Sequence, residues 1–143
     1  MILIMRKYLI ILFIFLIKFT FAKAEIVNSI NVKGNERIAK ETIVIFSSVK
    51  IGDDLIISDL NKIIKDLYDT DFFNYVSVSL KNNVLTIDLK ENKIINSVEI
   101  LGVKNKKLKQ ALLDQLVMSE KKSFVQEKSS EDTFKLSNFL KVS

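Results

Sequence analysis

Acid–base chemistry or a hard cation would have to rest on carboxylates here, because the 143-residue sequence contains no His and no Cys. A Ser-His-Asp triad, a Cys nucleophile and a His/Cys zinc site are thereby excluded. The Asp and Glu residues lack the alternating spacing of an EF-hand loop. Asp53-Asp54, directly behind Gly52, reads as a solvated turn leading into a helix. No catalytic residue, cofactor site or metal site is assigned, and the sequence reads as that of a non-enzyme. The missing Cys also means that no disulfide staples the fold, which says nothing against an oxidising compartment.

The formal charge of +5 overstates the basicity of the folded part. Arg6, Lys7, Lys18 and Lys23 all precede position 25, and no acid does. Without them 18 basic residues face 17 acidic ones. Nucleic-acid binding needs a concentrated basic surface to neutralise phosphates. The nearest candidate, Lys104, Lys106, Lys107 and Lys109, reads as a solvated turn and helix start. A nucleic-acid module is therefore not expected.

Residues 1–24 have the layout of a secretory signal peptide. Arg6-Lys7 supplies the charge, Tyr8 to Ile17 an unbroken apolar run, and Ala22-Lys23-Ala24 a small-x-small cleavage pattern. A bilayer span wants ~20 apolar residues, and Lys18 interrupts this run. The alternative is an uncleaved anchor with Lys18 reaching for the interface.

Beyond residue 24 the sequence is built on a repeat. Asn28 to Gly34 (NSINVKG) returns as Asn96 to Gly102 (NSVEILG), with apolar residues matching apolar ones and a Gly closing each. Such self-similarity marks one folding unit used in tandem. In the first copy, Ile26 to Lys33 alternates, with Ile26, Ile30 and Val32 on one face, and predicts a strand. Ala39 to Ser48 predicts a helix with Ile43 and Phe46 inward. Ser58 is the expected N-cap of a second helix, whose stripe is Leu60, Ile63, Ile64, Leu67 and Tyr68. Val76, Val78 and Leu80 alternate with polar residues, as do Leu85, Ile87 and Leu89. Asn82-Asn83 between them predicts a two-residue hairpin turn, with Lys81 opposite Val84. The fold class is α+β: a β-α-α-β-β unit over residues 25–93, three strands with one face covered by two helices.

This pattern resembles a POTRA domain, and the chain is similar to the N-terminal part of outer membrane protein assembly factors of the BamA type. The resemblance is carried by Gly34-Asn35-Glu36-Arg37-Ile38 after the first strand, Val49 to Asp53 between the helices and Leu67 to Phe73 closing the second. The hairpin segments Val76-Ser77-Val78 and Val84 to Ile87, and the junction Glu91 to Val98, complete it. Two positions depart from the family pattern. Asp71 stands where Gly is usual, and Lys93 where Pro is frequent.

Residues 94–143 are expected to be an incomplete second POTRA domain. Asn96 to Leu101 would be its first strand. Lys107 to Leu116 would be a helix with Leu108, Ala111, Leu112 and Gln115 or Leu116 inward. Glu120 to Glu131 would be a polar connection. Thr133 to Val142 would be a second helix with Phe134 or Lys135, Leu136, Phe139 and Leu140 at near-helical spacing. Both hairpin strands of that unit, and any C-terminal membrane barrel, are missing from the sequence. A fragment or a disrupted reading frame is the expected explanation, with weak order over residues 94–143.

A three-stranded sheet has edges, and an extended peptide can add to one as a further strand with little sequence preference. The resemblance implies a periplasmic scaffold, at the periplasmic face of the outer membrane, for unfolded β-barrel precursors. Periplasmic chaperones and assembly-complex lipoproteins are its implied partners, and a missing barrel its implied membrane contact. It also implies that the binding edge is the first hairpin strand, with Tyr75, Ser77, Ser79 and Lys81 as its outward row. An ordinary solvated edge guarded by Lys81 is the plainer reading. Arg37 is a possible partner contact; it could equally pair with Glu36 or Glu41, or cap the strand-to-helix turn. The alternative function is an inner-membrane-anchored POTRA protein of the cell-division FtsQ type, against which the second copy at Asn96 argues.

Overall fold

The structure, a computed structural model, describes residues 24–142. The expected signal peptide, apart from Ala24, lies outside the described residues. Its elements are β1 (Glu25–Ile26), β2 (Ser29–Lys33), α1 (Lys40–Ser47), β3 (Asp54–Leu55), α2 (Ile57–Tyr68), β4 (Phe73–Lys81), β5 (Val84–Glu91), α3 (Lys106–Leu113) and α4 (Gln126–Val142).

The hairpin forms as its pattern dictates. Lys81 lies opposite Val84 and Leu80 opposite Leu85. Asn82 and Asn83 take φ of 51° and 64°, the pair of positive angles that a two-residue type I′ turn requires. Strand order is β2-β5-β4. The last strand in sequence is therefore the middle one, parallel to β2 and antiparallel to β4. One extra residue near Asn74 makes a bulge in β4.

Against this sheet pack α1 and α2, and the contact is one apolar cluster. Val27, Ile43, Leu67, Leu85 and Ile87 are fully buried within it; Ile63, Phe73, Val76 and Leu89 are nearly so. On α2, Ile63 and Leu67 face inward, flanked by the half-buried Leu60 and Ile64. The stripe read from the sequence thus meets the sheet, except that Tyr68 remains 41% exposed. The opposite face of the sheet is polar: Ser77 lies across from Asp88 and Ser79 from Thr86.

Local details depart from expectation. The first strand is not continuous. Val27 donates to Asp53 O and accepts from Gly52 N, whereas Asn28 N and Ser29 N both turn to Asn83 O. The chain therefore changes partner between residues 27 and 28, and the alternation changes phase. Val27 is buried and Ile26 is 50% exposed, the reverse of the prediction. Ser58 does not cap α2. The helix starts at Ile57, and Asp59 Oδ2 reaches back to accept from Ile56 N at 2.8 Å. α1 starts at Lys40 and stops at Ser48, which has the left-handed φ of 55°.

The second half differs more. Asn96 to Leu101 is not a strand. In the first copy β2 is held by β5, and no equivalent of β5 lies among the described residues. α3 is capped by Asn105, whose Oδ1 accepts from Lys107 N and Leu108 N, and ends at Leu113 rather than Leu116. Leu112 is its buried side chain. α4 begins at Gln126, inside the stretch expected to be a connection, because Gln126-Glu127-Lys128 are good helix formers and Ser129 N donates to Val125 O. Phe134 and Leu140 are 67% and 55% exposed. No described strand lies beneath this helix to cover them.

Candidate binding edge

β4 is an edge strand: β5 pairs with one side, and no described strand pairs with the other. The two-residue turn fixes which backbone groups face outward. Its closing pair, Lys81 and Val84, exchanges hydrogen bonds, and such pairs alternate along an antiparallel ladder. Ser79, Ser77 and Tyr75 therefore spend their N–H and C=O groups on β5. The outward-facing backbone belongs to Val76, Val78 and Leu80.

The expected row of Tyr75, Ser77, Ser79 and Lys81 is thus placed on β4, with side chains on the face away from the core. Tyr75 is 50% exposed, Lys81 exposed, and both serines half-buried. Their side chains flank the edge, but their amides are not the ones an incoming strand would meet. Sequence reasoning missed Val78 and Leu80. The signal was available in the parity of positions counted back from Asn82-Asn83.

An independent contact confirms the parity. Val76 N donates to Tyr68 Oη at 3.1 Å, so this amide points away from β5 and toward the end of α2.

Arg37 holds the loop that leads out of β2. Its Nε lies 3.1 Å from Glu91 Oε2, and its Nη2 donates to Asn92 O at 3.1 Å. Pairing is therefore with Glu91 at the end of β5, not with Glu36 or Glu41. Glu91 Oε1 accepts three backbone N–H groups, those of Glu36, Arg37 and Ile38, each at 2.9 Å. Its side chain is 4% exposed. Burial alone would raise the Glu91 carboxyl. The amides of Ile38, Glu36 and Arg37, with the Arg37 charge, outweigh it and hold the carboxyl below its ordinary value. The turn-capping role considered for Arg37 is thus performed jointly with Glu91.

The two halves meet at Asp71. Its φ is 62°, the left-handed conformation for which Gly is better suited. Its carbonyl accepts from Asn92 Nδ2 at 2.8 Å, and its carboxylate pairs with Lys128 on α4. A cleft of about 570 Å³ opens here, lined by Tyr68, Phe73, Asn74 and Phe124 among others. The linker is also stitched to the second half: Phe124 N donates to Lys93 O and Ile95 N to Lys122 O. Asp71→Gly should be close to neutral, within about 1 kcal/mol by urea denaturation. Relief of the left-handed strain offsets a partly exposed ion pair worth ~0–1 kcal/mol. A loss of several kcal/mol would show that the carboxylate does more than this.

No family model matches the chain. A curated relative, the outer membrane protein assembly factor BamA of Neorickettsia risticii (strain Illinois), is 30% identical over 102 residues, 71% of this chain. The chain spans 14% of that relative's length. Among solved structures, POTRA1-2 of the periplasmic domain of Omp85 from Anabaena superimposes with a TM-score of 0.55 at 15% identity, over 82% of this chain and 79% of that one. The N-terminal domain of Omp85 from Thermosynechococcus elongatus gives 0.56 at 13% identity, over 81% and 51%. At these identities the structural likeness is one of fold.

Proposed function

Because the chain is a POTRA segment of the BamA type, we propose that it serves as a periplasmic scaffold in outer-membrane protein assembly and takes up unfolded β-barrel precursors by strand addition at β4. The supporting observation is the outward backbone of Val78 and Leu80 on an edge strand that no described strand covers. Main-chain hydrogen bonds give such an edge affinity without sequence preference, which suits a factor that handles many different precursors. The exported location rests on the signal-like residues 1–24. Chaperones and assembly lipoproteins would meet other surfaces, and the half-exposed Arg37 guanidinium is one place where a carboxylate of a partner could dock.

Residue-resolved amide exchange during titration with a capped peptide of alternating Thr and Val, with Lys at either end, tests this reading. Protection should rise at Val78 and Leu80 and stay constant at Ser77 and Ser79, which are already bonded to β5. Protection at none of the four, or at β2 instead, would remove β4 as the binding edge.

A further inference from the structure

We infer that Tyr68 is a register stop for strand addition at β4. This inference rests on the proposed use of that edge and specifies how many rungs it offers. An incoming strand would place carbonyl oxygens opposite the outward amides, at the ~2.9–3.0 Å typical of N–H···O bonds. At Val76 that place is taken. Tyr68 Oη lies 3.1 Å from Val76 N and stands where the first carbonyl oxygen of a partner strand would sit.

The hydroxyl is held there by the fold. Tyr68 is the last residue of α2, and its neighbour Leu67 is fully buried under the sheet. Asp69 N still donates to Lys65 O at 2.9 Å, so the final turn of the helix is intact. Tyr68 also lines the cleft between the two halves, together with Phe73 and Phe124. At the opposite end of the edge the chain turns away at Asn82-Asn83. Between stop and turn, the outward amides without a partner among the described residues are those of Val78 and Leu80.

The partner that fits is a short extended segment pairing over this two-amide window, its chain turning off the sheet plane at Tyr68. A long strand laid along all of β4 would have to displace the hydroxyl. The stop thus fixes where pairing begins in an otherwise sequence-neutral interaction, and limits its length and affinity.

Tyr68→Phe keeps the ring and removes the oxygen. In the free protein the Val76 amide should exchange ~10-fold faster in the variant, as expected for a lost local hydrogen bond. With the same Thr-Val peptide, wild-type protection should be gained at Val78 and Leu80 only. In Tyr68→Phe it should extend to Val76, with an apparent affinity several-fold tighter. Equal Val76 exchange in the two free proteins would refute the bond. Protection confined to Val78 and Leu80 in both proteins would refute the stop while leaving the edge in place. No protection in either would refute strand addition itself, and the stop with it.

Discussion

Gly34→Ala is expected to unfold the unit formed by residues 25–93. Gly34 follows β2 directly and has a φ of +79°. A Cβ added there would lie 1.9 Å from the carbonyl oxygen of Leu89, a backbone atom of the central strand with no rotamer through which to escape. The left-handed conformation alone costs an L-residue with a side chain about 1–2 kcal/mol. The overlap adds a displacement of β5 within a close-packed core. Together they should exceed about 4 kcal/mol, the range reserved for disruptive substitutions. A unit of this size carries only ~3–10 kcal/mol in all. The repeat supplies the control. Gly102 has nearly the same φ, +80°, with nothing within 4 Å of an added Cβ. Gly102→Ala should therefore cost only the conformational share. Equal losses for the two variants in urea denaturation would show that contact with Leu89 is irrelevant.

Glu91→Ala should cost ~2–4 kcal/mol. It removes the acceptor for three amide donors and leaves Arg37 unpaired. Glu91→Gln keeps an acceptor but loses the charge, and should fall between Ala and wild type. The same carboxylate makes stability depend on pH. Its carboxyl is held below the ordinary value of 4.5 in the folded chain, so near pH 4 the unfolded chain binds more protons. The stabilisation is complete above the ordinary value and is lost as pH falls through the lowered one. Urea midpoints measured from pH 7 down to pH 3 should therefore decline less steeply in Glu91→Gln than in wild type. Parallel declines would assign the acid sensitivity to other carboxylates.

Much of the sheet was legible because its signals are local. Period-two alternation on both sides of Asn82-Asn83 fixes turn, register and core face together, and the stripe on α2 does the same for the covering helix. What was illegible is set at long range. The change of phase at Val27 depends on bonds to Gly52, Asp53 and Asn83, which alternation within residues 26–33 cannot report. Glu91 is more than 50 positions from the amides it caps, so Arg37 invited nearer partners. At Asn96 to Leu101 the repeat preserves the strand pattern, but a strand also needs a neighbour, and sequence similarity does not supply one. The edge itself was placed through family likeness, whereas the identity of its outward amides is a matter of counting from the turn.

The central position of β5 has a consequence for how the unit comes into being. Ser29 finds its neighbour in the sheet at Val84, and the loop after Gly34 is clamped by Glu91. During N-to-C synthesis or threading across a membrane, β2 must wait for more than fifty further residues before any ladder can receive it. Closing so long a loop is slow, and the wait leaves a strand with Ile30 and Val32 uncovered and unpaired. Assembly of the three-stranded sheet is therefore gated by the arrival of residues 84–91, and a chain halted before them would have both helices and, of the strand pairings, only the short β1–β3 ladder.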